Sequence, residues 1–200
     1  MSTDGSITPP SQSIASSTAG VWKLLREFLE TAILTLLIFL LVRAVVQNYR
    51  VKGSSMEPNI HDGQYLMVNK ALNLFPLQRG DVVIFVAPPR PRDDFIKRVV
   101  ALPGETVEIR QGRVHIKRPE WKEFRLLDEP YISHFAVYSY GPATVGPDQY
   151  FVLGDNRGNS DDSHSWGMLP RKNIIGKAWL SYWPIRTFGL LPRYTLAFSP

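Results

Sequence analysis

The chain has 200 residues, with 23 Lys and Arg against 18 Asp and Glu, a formal net charge of +5. That length suits one domain with appendages and a core that needs no covalent staples. The absence of cysteine excludes disulfides, thiolate metal sites and a cysteine nucleophile.

The basic residues are scattered and no motif that reads RNA or DNA is present, so nucleic acid is not an expected partner. Anionic lipid and plain solvation both suit such a surface. Residues 1–20 are mostly Ser, Thr, Gly, Pro and Ala, with too little apolar area to offset the entropy of ordering, so a disordered tail is expected there. The tail lacks Arg, which argues against an organelle transit peptide.

A transmembrane anchor is expected over residues 21–49. Its centre, residues 28–46, is almost wholly Leu, Ile, Val, Phe and Ala, with Glu30 and Arg43 near the ends. As a helix this stretch measures about 28 Å, close to the ~30 Å hydrocarbon thickness of a bilayer. A buried helix of a soluble protein would show a polar face, which this run lacks. A cleavable leader would end at a small-residue site and a polar break, which it also lacks. Lys23 and Arg26 precede the span while Arg43, Arg50 and Lys52 follow it, so charge does not fix orientation.

Residues 50–200 read as a β-rich domain. Strands are expected at 65–68, 81–86, 95–101, 106–110, 113–117, 150–153 and 176–182, from short β-branched or alternating runs between turn-formers. Gln111-Gly112 marks a tight hairpin. Residues 118–148 read as a loop-rich insertion, and no helix longer than a turn or two is expected after residue 50. The fold class is therefore mainly β, an antiparallel sheet domain behind one N-terminal transmembrane helix.

Three stretches carry chemistry. In Gly53-Ser54-Ser55-Met56-Glu57-Pro58, Gly and Pro impose an irregular backbone that can present a hydroxyl, although ordinary loops share this composition. Within residues 95–101 the period of two places Lys97 on one strand face and Arg98 on the other, and both faces are otherwise apolar. Burial of Lys97 would favour a neutral amine able to take a serine proton, which Arg cannot become. An edge-strand Lys with its head in water is the alternative. Residues 154–167 pack carboxylates, Arg and hydroxyls into fourteen positions. Their acids lack the alternation of a calcium loop, and no histidine has metal-ligand spacing, so no metal or other cofactor is expected. Ser55 with His164 and Asp155 or Asp162 is a second catalytic arrangement that spacing permits.

Residues 53–58, 79–83, 95–104 and 154–167 follow the order of the conserved boxes of bacterial type I signal peptidases, and with the apolar span the chain resembles that family from about residue 25 to 182. The resemblance implies a fold shared with LexA-like proteases and a membrane-anchored serine endopeptidase that cleaves signal peptides from exported preproteins. It implies Ser55 as nucleophile, Lys97 as general base and Ser160 as the hydroxyl that orients the amine. Asp155, Asn156, Arg157, Asp162 and Arg98 would support them, and Gly53, Ser54, Met56 and Pro58 would serve substrate or oxyanion binding. Two positions depart from the family: Gly53 stands where some members carry an oxyanion Ser, and His164 where many carry Arg. Such a His is similar to cyanobacterial and plastid members. The implied location is the inner (plasma) membrane with the catalytic domain outside the cytoplasm, or a thylakoid membrane. A processing protease with a single client and an inactive tethered domain that binds exported chains are the rival functions.

Overall fold

The structure, a computed structural model, describes residues 15–71, 76–194 and 196–199. The chain divides into an N-terminal unit up to Arg43 and a folded unit from Ala44 onward.

Helix α1 (Ala15–Val45) includes a 26-residue stretch, Gly20–Val45, with mean hydropathy 2.2, long enough to cross a bilayer. Two of its polar side chains bond within the helix. Thr31 Oγ1 donates to the Glu27 carbonyl at 2.8 Å, and Arg26 Nε donates to Glu30 Oε1 at 2.6 Å. The tail expected over residues 1–20 lies outside the described residues as far as 14, and 15–20 are already helical. The anchor expected to reach residue 49 stops at Val45. Residues 46–49 belong instead to β1 (Val46–Arg50), whose backbone pairs antiparallel with β2 (Tyr65–Asn69), Val46 opposite Asn69 and Arg50 opposite Tyr65. A ladder partner satisfies the same backbone groups that another helical turn would have.

The rest of the domain is antiparallel. The hairpin of β3 (Val82–Ala87) and β4 (Arg90–Ala101) is followed by that of β5 (Thr106–Arg110) and β6 (Arg113–Lys117). Gln111 and Gly112 turn the second hairpin with φ of 50° and 77°, the left-handed pair that a tight hairpin requires. The chain continues through β7 (Arg125–Leu126), β8 (Tyr140–Thr144), β9 (Gln149–Leu153), the single-turn helix α2 (Ser163–Trp166), β10 (Leu169–Pro170), β11 (Ile174–Trp183) and β12 (Gly189–Leu190). The larger sheet runs β1-β2-β11-β3-β4-β9-β10 with β12 on β11, and the smaller runs β7-β6-β5-β8. The segment expected as a loop-rich insertion thus supplies both edges of the smaller sheet. Tyr140-Gly-Pro-Ala-Thr has no apolar alternation, and its strand state comes from the partner β5 rather than from its own pattern.

Strand β3 is buried on both faces, with Val82 and Ile84 in one apolar cluster and Val83 and Phe85 in another. Near its end β4 passes from Val99, in the second cluster, to Val100 and Ala101 in a third beneath the smaller sheet. Lys97 and Arg98 therefore sit where three apolar clusters meet, at 4% and 1% exposure.

Candidate active site

Ser55 lies in the turn between β1 and β2. Gly53 holds a φ of 87°, and its N–H donates to Asp62 Oδ1 at 2.8 Å. Met56 is fully buried among Val51, Ile60 and Leu66 and pins the turn from below. Met56 was expected at the substrate site, and its side chain lies in the core rather than in the cleft. Pro58 is exposed but does not line the cleft beside Ser55. In a turn, neighbouring side chains point different ways, so membership of one short motif does not mean membership of one surface.

The Lys97 amine reaches across from β4 and makes a 2.8 Å hydrogen bond with Ser55 Oγ. Its Nζ also lies 5.2 Å from the centre of the Phe95 ring. Among the described residues no carboxylate forms an ion pair with it. Burial strips water from the amine and lowers its pKa to about 8, against the partial counterpull of Asp162, Asp161 and Asp155. Such a group is neutral in about one molecule in ten at pH 7 and in about half at pH 8.

Arg98, on the opposite face, is fixed as a cation. It donates from Nε and Nη2 to the two Asp155 oxygens at 2.8 and 2.6 Å, and from Nη1 to the Gly80 carbonyl at 2.8 Å. Its guanidinium lies 4.4 Å from the Tyr131 ring centre and 5.3 Å from that of Tyr194. Asp155 also accepts from Asn59 Nδ2 at 2.9 Å. This satisfies the hydrogen-bonding needs of a buried ion pair that would otherwise be costly.

The segment after β9 clamps the serine turn. Asn156 N–H donates to the Ser55 carbonyl at 3.0 Å, Asn156 Nδ2 to the Ser54 carbonyl at 3.1 Å, and Asn159 Nδ2 to Ser54 Oγ at 3.0 Å. A Cβ at Gly154 would collide with Ser160 Oγ and the Ser55 carbonyl, so only glycine lets the two segments approach this closely. Asp162 is fully buried. Its Oδ2 accepts the Gly154 N–H at 2.9 Å, and its Oδ1 accepts the His164 N–H that opens α2.

Two expectations are corrected. Ser160 Oγ is buried without a hydrogen-bond partner, so the bond expected between it and the Lys97 amine is not made. The Ser-His-Asp arrangement is not made either. His164 Nδ1 lies 2.7 Å from Asp162 Oδ1 and Nε2 lies 3.1 Å from Ser165 Oγ, the ring stacks on Tyr138 at 4.2 Å, and Ser55 Oγ is bonded to Lys97 instead. The hydrogen bond that the His164 ring donates to Asp162 raises the His164 pKa.

Sequence reasoning missed Glu129, Tyr131, Asn59 and Tyr194. Arg157 is buried and binds the Glu129 carboxylate with both terminal nitrogens. Nothing local in the sequence pairs Arg157 with Glu129, since Arg157 lies in a polar segment with nearer acids of its own.

A cleft of about 660 Å³ opens beside the pair, lined by Ser54, Ser55, Lys97 and the apolar Ile84, Phe95 and Ile96, with Asp93, Asp94 and Arg92 among its charged walls. An extended segment with small apolar side chains could lie across such a floor.

The chain is similar to known proteins along most of its length. The family described as "Signal peptidase, peptidase S26" matches residues 25–183. A "Probable signal peptidase I-2" of Synechocystis sp. is 37% identical over 172 residues, covering 82% of this chain and 76% of its own. A "Signal peptidase I" of Leptolyngbya laminosa is 39% identical, covering 92% of each. A solved signal peptidase I of Enterococcus faecalis V583 matches 50% of this chain and 95% of its own at 30% identity, with a TM-score of 0.43, too loose a likeness to carry an argument about the fold. The extent of the family match and the identity to relatives covered along most of their length place the chain in the peptidase S26 family, the signal peptidases.

Proposed function

We propose that Ser55 is the nucleophile and Lys97 the general base with which this membrane-anchored serine endopeptidase cleaves signal peptides from preproteins. The observation that carries the assignment is the 2.8 Å hydrogen bond between Ser55 Oγ and a buried Lys97 amine whose pKa is drawn down to about 8. As Ser55 Oγ attacks the scissile carbonyl carbon, the neutral Lys97 Nζ accepts its proton. The tetrahedral oxyanion then collapses, the amide C–N bond breaks, and the ammonium returns the proton to the leaving amine. Water attacks the remaining ester, Lys97 taking its proton in turn, and Ser55 is regenerated with release of the carboxylate product. With glycine at position 53, a side-chain oxyanion donor is not available there. The Ser55 backbone N–H has no partner among the described residues and is the donor of choice, a type of contact commonly worth a few kcal/mol in the transition state.

The apolar helix α1 supports a membrane location, where the apolar part of a substrate also resides and its effective concentration is raised. The exposed Trp183, Ile185, Phe188 and Leu190 support contact of the domain with lipid. The catalytic domain is assigned to the extracytoplasmic side of the plasma membrane, with a thylakoid membrane as the alternative site. Cleavage of a preprotein by the purified full-length chain in lipid vesicles tests the reading. Ser55→Ala and Lys97→Ala are expected to abolish product, and turnover by either at the parental rate would refute the assignment.

A further inference from the structure

Glu129 belongs to the segment that sequence reasoning left without a role, yet it is the most buried carboxylate there. Its side chain is 1% exposed and that of Arg157 0%. Both terminal nitrogens of Arg157 meet its two oxygens, one at 3.1 Å to Oε2 and the other to Oε1. The Tyr131 hydroxyl donates to Oε1 at 2.6 Å. With both oxygens occupied, the carboxylate holds the guanidinium in one plane. The remaining Arg157 donor, Nε, is thereby aimed at the Gly154 carbonyl, 3.1 Å away. Burial works against the Arg157 charge, but Glu129 outweighs it and raises its pKa.

Gly154 is the residue pressed against the Ser55 carbonyl and Ser160, and the next turn of backbone binds that same carbonyl through Asn156. The segment carrying Glu129 is itself fastened at several points. Leu127 bridges to Phe198, Asp128 N–H donates to the Ala197 carbonyl at 2.9 Å, and the Tyr131 carbonyl accepts from Asn59 Nδ2 at 2.7 Å. One face of Tyr131 also covers Arg98. A continuous chain of contacts therefore runs from the edge of the smaller sheet to the nucleophile turn.

We propose that Glu129 is a positioning residue for the Ser55–Lys97 pair, acting through Arg157 and the Gly154 carbonyl to fix the Ser55 turn against β4. The inference rests on the assignment of Ser55 and Lys97 above. Displacing a nucleophile by a fraction of an ångström slows chemistry far more than it weakens substrate binding.

The test uses the full-length chain in lipid vesicles, with preprotein cleavage resolved into kcat and KM and thermal unfolding followed in parallel. Glu129→Gln keeps the shape and removes the charge. Its kcat is expected to fall about tenfold or more with KM changed less than about twofold. The double variant Glu129→Leu with Arg157→Met removes both buried charges, so its unfolding midpoint should recover, while kcat stays low because the Gly154 carbonyl has lost its Arg157 donor. Parental kcat in the double variant, or an effect of Glu129→Gln on the unfolding midpoint or KM alone, would overturn the proposal. If neither variant folds, Glu129→Asp decides. Its shorter reach should give a reduced kcat, and a parental kcat would count against positioning. Ser55→Ala separates the two readings: full activity in that variant refutes the nucleophile, whereas an inactive Ser55→Ala beside a fully active Glu129→Gln refutes only the role of Glu129.

Discussion

The two sides of β4 carry adjacent cations and treat them oppositely. Arg98 is held by both oxygens of Asp155, by the Gly80 carbonyl and between two tyrosine rings, and its pKa is raised by Asp155 in spite of burial. Lys97, one residue away and nearly as deep, has a serine hydroxyl and a phenyl ring. Burial alone does not decide protonation; the presence of a bonded carboxylate does. The fold keeps the structural cation charged and denies a counter-ion to the one that must give up its proton.

The contrast is broken most completely by Lys97→Arg. It keeps a positive charge and removes the group that can become neutral, and preprotein cleavage should fall by about a thousandfold or more. Lys97→Met should be equally inactive yet more stable, by on the order of 3 kcal/mol at pH 7, because it abolishes the cost of a buried ammonium. The folded pKa of about 8 lies below the ordinary value of 10.5, so that cost is fully present below pH 8 and fades between 8 and 10.5. Chemical denaturation at pH 7 and pH 10.5 should show the advantage of the variant shrinking.

On the other side, Arg98→Met leaves Asp155 charged and buried and should cost about 3–5 kcal/mol. Adding Asp155→Leu should recover most of it, and a double-mutant cycle by urea unfolding checks this. The pH dependence of kcat/KM sharpens the comparison further, since the rate should fall tenfold per unit below about pH 8 if Lys97 must be neutral. The smallest effect belongs to the Arg90–Asp161 pair, at 3.2 Å with side chains 59% and 39% exposed. Arg90→Ala should shift unfolding by less than about 1 kcal/mol.

Much of this was legible in the residues. The hairpin at Gln111-Gly112 and the strand through Lys97 follow from turn chemistry and a period of two, which are local properties. The turn at residues 53–58 and a cation in an apolar strand stand out as local anomalies, but the choice of Ser55 over Ser54 and its pairing with Lys97 came from the family resemblance. Glu129 could not, for its partner Arg157 lies 28 positions away across segments without periodicity. Strand β8 was hidden for the same reason, as its conformation is borrowed from β5. Met56 and Pro58 show the converse failure, where adjacency in a motif concealed that the chain turns one side chain into the core and the other to solvent. Ser160 was expected to touch the amine, and the actual packing seats its hydroxyl against Gly154 without a partner.

The most direct measurement is the titration of the Lys97 amine itself, followed by its side-chain nitrogen resonance in the full-length chain in micelles. A midpoint near pH 8, displaced when Ser55 is replaced by Ala, is the expected result. A midpoint near the 10.5 of a water-exposed lysine, indifferent to Ser55, would contradict the assignment of Lys97 as the base.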